Sequence, residues 1–186
     1  RQKSERSAPI NRQNAEFTPA KKVEVKAERK LERGQIPPGT EVEYYWEAAD
    51  AAGKTLKTPT QKFTYMDNRF NWQQKSGGLV TVFWYNQSAA YGEQRLKVTL
   101  EALARLEKEI GVKAEEPLKV FFYNSRADMQ EALGSRGTTH DDQVTTLGTV
   151  VARDVVLILG DHAEVDITTA HELTHVAVRL AVENPL

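Results

Sequence analysis

The sequence predicts an α+β protein: an all-β N-terminal region followed by a mixed sheet layered with helices. Three observations carry that reading. Residues 21 to 66 alternate apolar and charged positions with a period of two. From residue 79 onward, strand-length apolar runs are separated by stretches of helical period. The last of these, "ITTAHELTHVAVRL" at 167 to 180, is apolar around much of its circumference yet holds two histidines and a glutamate.

Composition limits what such a chain can do. At 186 residues it is long enough for one ordinary domain, or a small domain plus a fragment. Lys and Arg total 25 against 26 Asp and Glu, so no net field favours nucleic acid or an anionic membrane. Cysteine is absent, which excludes disulfides and thiolate metal sites and leaves His, Asp and Glu as metal ligands. No apolar run approaches the roughly 20 residues of a membrane span, and "RQKSERSAPIN" has no signal-peptide core. A chain that begins without Met and stops at "ENPL" reads as a piece of a longer protein.

The elements follow in order. "KKVEVKAERK" alternates Val23 and Val25 with charge, "TEVEYYWEA" alternates around Val42, Tyr44 and Trp46, and "TPTQKFTY" repeats the pattern. "RGQIPPGT" and "ADAAGKTL" supply the turns between them. Residues 1–70 are therefore expected to be a partial β-sandwich of immunoglobulin or fibronectin type, with Trp46, Phe63 and Tyr65 in its core. About three strands are visible where such a sandwich needs about seven, so the first strands are expected to be missing.

Residues 71–186 are expected to form the second domain. "LVTVFWY", 79 to 85, reads as a strand. A helix follows from about 89 to 111, with Leu96, Leu100, Leu103, Leu106 and Ile110 at helical spacing and Gly111 at its end. "LKVFFY", 118 to 123, is a strand, and "SRADMQEAL" is a short helix capped by Ser125. Residues 134–146 read as a polar loop. "LGTVVARDVVLILG" gives two strands with a turn near Ala152 to Asp154, and the last helix runs from about 165 to 182, largely buried. Phe83, Trp84, Phe121 and Phe122 are expected to pack the sheet.

Burying ionisable groups costs free energy unless they are paired or bound, so the polar residues of the last helix need an explanation. His171 and His175, at i and i+4, share one helix face, and both can reach a single zinc ion at about 2.0–2.1 Å. Glu172 is rotated about 100° from His171. From there its carboxylate can take a proton from a metal-bound water without being a ligand. The alternative is three polar residues satisfied by their neighbours.

"TTAHELTHVAV", with the order strand, long helix, strand, helix, hairpin and motif helix before it, resembles the peptidase MA-like family, the thermolysin-type gluzincins with an HExxH signature. The resemblance covers roughly residues 70 to 186, and the preceding stretch to "NRFNW" is similar to a β-rich region found before this domain in some bacterial members. It implies a zincin-like N-terminal subdomain, Zn2+ held by His171 and His175, Glu172 as general base, and a peptide or protein substrate. It also implies that "RDVVLIL" is the edge strand above the cleft, and that the protein acts outside the cytoplasmic membrane.

The third ligand departs from the pattern. In gluzincins it is a Glu about twenty or more residues past the second His, whereas Leu186 is eleven past His175. The metzincin alternative needs Gly and His where Val178 and Ala181 stand. Glu183 lies two turns beyond His175, about 12 Å along the axis, too far to close the site. The third ligand is therefore expected beyond Leu186, and the fragment is expected to be inactive as it stands.

His162 with Asp161, expected in an exposed turn, and the "THDD" cluster of His140, Asp141 and Asp142 are weaker metal candidates. The basic start, Arg1 to Arg12 with Lys21 and Lys22, reads as a frayed terminus. The rival function is a non-catalytic extracellular adhesion or scaffold module with a zincin-like fold.

Overall fold

A computed structural model describes residues 11–32, 34–111, 113–133 and 147–183, the side chains of Ala181 and Glu183 excepted. The loop with His140, Asp141 and Asp142, and most of the basic start, lie outside the described residues. The chain divides into two compact units, Arg1–Leu31 and Glu32–Leu186. In the first, the described residues form no helix or strand, and Gln13 Nε2 donates to the carbonyl of Glu28 at 3.0 Å. The strand expected at Val23 and Val25 is not formed there. Alternation makes a strand only where a neighbour supplies hydrogen bonds and a face to bury.

The second unit opens with two separate antiparallel ladders. Strand β1 (Glu41–Tyr44) pairs with β4 (Gln61–Thr64), and β2 (Glu47–Ala49) with β3 (Thr55–Lys57). Trp46 and Phe63, expected in a sandwich core, are exposed, and Tyr65 is half-buried. A two-stranded ladder has no facing sheet among the described residues to cover it. Gly39, at φ +84°, brings the start of this region onto the rest of the unit: a Cβ there would lie 2.7 Å from Phe121 Cε2. Lys119 Nζ donates to the Gly39 carbonyl and to Asp154 Oδ2, both at 2.9 Å. The boundary expected at 70/71 thus falls inside the second unit.

Its centre is a five-stranded mixed sheet. Strands β5 (Gln73–Gly77), β6 (Val80–Trp84), β7 (Leu118–Tyr123), β8 (Gly148–Ala152) and β9 (Val155–Leu159) stand in the order β5-β6-β7-β9-β8. The three inner strands are parallel, and β5 and β8 run antiparallel at the edges. Helix α1 (Ala89–Ile110) and α3 (Val165–Glu183) cover one face, burying Leu96, Ala102, Leu106, Leu173 and Val176 against Val82, Val120, Phe122, Val156 and Ile158. The intervening residues, Phe83, Phe121, Tyr123, Val155 and Leu157, point the other way. There α2 (Arg126–Leu133), with Met129 and Ala132, and the residues Met66, Phe70 and Trp72 cover them.

Two expectations are corrected, and one strand is added. "RDVVLIL" is not the edge: every residue of β9 is buried between β7 and β8, as a continuous apolar run in a parallel sheet requires, and β8 takes the edge. Strand β5, polar and without a reading in the sequence, forms by hydrogen bonding to β6 through a two-residue connection whose Gly78 has φ +56°. Helix α3 buries one face only. Ile167 and Val178 are 69% and 51% exposed, as are His171, Thr174 and His175, so the motif lies on a half-buried helix rather than inside the core.

Candidate metal centre

Several contacts fix where α3 lies. Buried Arg95 on α1 donates to Asp166 Oδ1 at 2.5 Å in the first turn of α3, where a carboxylate also faces the positive end of the helix. Tyr91 OH donates to the carbonyl of Gly160 at 3.1 Å, holding the segment that leads from β9 into the helix. At the far end Arg179 Nη2 donates to the carbonyls of Ala152 and Arg153 in the β8–β9 turn. The helix is thereby tied to α1 at one end and to the edge hairpin at the other.

On this helix His171 and His175 stand one turn apart on the exposed face. Their Nε2 atoms are 3.1 Å apart, with the rings nearly perpendicular. Without a metal only one of the two nitrogens can carry the proton between them. A separation of this size is also about what two neighbouring ligands show in a tetrahedral zinc shell with bonds of about 2.0–2.1 Å. The pair therefore fits a metal ion: two imidazoles converge on one point from one helix, open to solvent.

Glu172, between them in sequence, packs inward. It is 8% exposed and turned toward β8, where a Cβ on Gly148 would lie 2.6 Å from its Cγ. Among the described residues no group hydrogen-bonds its carboxylate. Burial pushes its carboxyl above the usual range, partly offset by the two histidines beside it. A carboxylate raised toward neutrality is a better proton acceptor at working pH than one left at its ordinary value.

Among the described residues no third His, Asp or Glu joins the pair. The side chain of Glu183 lies outside the described residues. His162, expected to be exposed, is half-buried: its Nδ1 accepts from the backbone N–H of Glu164 at 3.2 Å, and its Nε2 is buried. The ring accepts from the backbone at the entry to α3 and does not join the histidine pair. Asp161 is exposed in the same turn.

Sequence reasoning picked out His171, Glu172 and His175 together, and the structure places them on one helix. It missed Gly148, Arg95, Asp166 and Arg179. The sole cue to Gly148 was a glycine opening an apolar strand, a place where side-chain packing is given up. No family model, curated protein or solved structure matches this chain.

Proposed function

We propose that the second unit carries the N-terminal part of a zincin-like metallopeptidase, with His171 and His175 as zinc ligands and Glu172 as general base. The convergence of the two Nε2 atoms at 3.1 Å on the open face of α3, with the buried Glu172 in between in sequence, carries this reading. The mixed sheet, with an antiparallel outer strand alongside the motif helix, supports it. A bound zinc ion would supply a Lewis acid and lower the pKa of its water toward about 7. His171 and His175 would hold it through Nε2. The Glu172 carboxylate takes the proton of the attacking water and returns it to the departing amine of a peptide bond. The reading requires a third ligand that the described residues do not supply.

Glu172→Gln tests it in the full-length protein, which supplies the third ligand. The amide keeps the shape and removes the base, so zinc should stay bound while peptide hydrolysis falls by about 10²–10⁴-fold. Undiminished hydrolysis in the variant would remove Glu172 from the chemistry. Loss of zinc would make it a ligand.

A further inference from the structure

Gly148 opens β8 opposite Ile158, and its backbone does not have the positive φ that favours glycine elsewhere in the chain. Inside a strand, glycine gives up cross-strand packing and backbone order, so one kept there without a turn marks a close approach. The approaching group is Glu172. A Cβ on Gly148 would lie 2.6 Å from Glu172 Cγ, 3.1 Å from Cδ and 3.1 Å from Oε1. On the same strand face two residues on, Val150 packs its own side chain against the cluster under α1 and α3. At 148 that volume belongs to Glu172.

The colliding atom is the middle of the side chain, not its free end. Glu172 is rooted on a helix that Arg95 and Arg179 tie down at both ends, and its side chain is buried. Adding one carbon at 148 therefore moves the carboxyl group, and the backbone of β8 or α3 must give if the carboxyl does not.

We infer that Gly148 is a positioning residue for Glu172: bare backbone at the start of β8 forms the floor on which the Glu172 side chain lies, keeping its carboxylate beside the His171–His175 pair. The contact stands on geometry, and its consequence for turnover rests on the proposed function. A displaced base should lose rate without losing metal, since Glu172 is not one of the ligands in that reading.

The test is a cycle of four proteins, each made with the segment beyond Leu186 that supplies the third ligand: the parent, Gly148→Ala, Glu172→Ala and the double variant. Each is followed by thermal unfolding, zinc titration and peptide hydrolysis. Gly148→Ala should lower the melting temperature when Glu172 is present and have no such effect in the Glu172→Ala background. Zinc affinity should be unchanged, and kcat should fall by at least about tenfold at constant KM. Equal losses of melting temperature in both backgrounds would overturn the inference, as would coupled losses with kcat unchanged. Should Gly148→Ala fail to fold, folding of the double variant supports the inference and its failure overturns it. A parent that binds zinc but hydrolyses nothing removes the metallopeptidase reading, and the melting temperatures then decide alone whether Gly148 seats Glu172.

Discussion

Gly92 lies under the indole of Trp84, and a Cβ there would come within 2.1 Å of Cη2. Replacing a helical glycine by alanine ordinarily stabilises by roughly 1 kcal/mol, because the backbone loses less freedom on folding. Here the opposite sign is expected. Trp84 is buried between α1 and the sheet and cannot move aside, so the overpacking cost of about 1–3 kcal/mol outweighs the propensity gain. Gly92→Ala should lower stability by about 1–2 kcal/mol in denaturant unfolding. A variant as stable as the parent would show that the indole has room to shift. Gly92 and Gly148 share a logic: each is a place where a neighbour's side chain occupies the volume a residue would claim for itself. Periodicity read from a sequence says which face a residue lies on but not which of two facing residues fills the space. Neither glycine could be assigned a role without coordinates.

Helix α1 shows what local chemistry settles. Ser88 Oγ accepts from the backbone N–H of Tyr91 at 3.2 Å, and Gly111, at φ +71°, donates its N–H to the Glu107 carbonyl. Ser88→Ala should cost about 1 kcal/mol and Ser88→Gly less, measured by the same unfolding. Equal losses would mean that the cap is satisfied by water. The limits of α1, β7, α2 and the β8–β9 hairpin were legible because caps, glycines and apolar runs are local signals. The sheet's edges were not. Strand β5 is polar and exists by pairing with β6, while the all-apolar β9 was itself the sign of an interior strand, outweighed by the resemblance that placed it at the edge. The face of α1 was legible only roughly: Leu96 and Leu106 are buried as expected, but Leu100 and Ile110 are exposed and Arg95 and Thr99 take buried places. Of the candidate site, the histidines and Glu172 were legible from spacing, and the contacts that hold α3 over β8 were not.

Taken whole, the second unit sets different chemistry on the two faces of one sheet. The α3 face carries an open histidine pair and the Glu172 carboxylate, which no group among the described residues hydrogen-bonds. On the other face Asp67 is buried and fully engaged: Tyr123 OH donates to it at 3.0 Å, and Arg69 donates Nε to Oδ1 at 2.9 Å and Nη2 to Oδ2 at 2.6 Å. Arg69 continues to Glu131 and to the carbonyl of Asp128, so this network holds residues 66–72 against α2. Burial alone would raise the Asp67 carboxyl, but the hydrogen bonds and charge of Arg69 and the Tyr123 hydroxyl outweigh it and bring it below its ordinary 3.8. A carboxyl depressed in the folded state stabilises the fold at pH above the unfolded value, and that contribution is lost as pH falls through the folded one. Stability should therefore fall steeply below about pH 3.8. Asp67→Asn should already lack that contribution, losing about 1–3 kcal/mol near neutrality, with a flatter decline in acid. Parallel acid profiles for parent and variant would assign the acid transition to other carboxylates. The same variant should leave zinc binding at His171 and His175 unchanged, because the sheet separates the two networks and they share no side chain. A loss of zinc affinity in Asp67→Asn would show that the order of α3 depends on the cover on the opposite face.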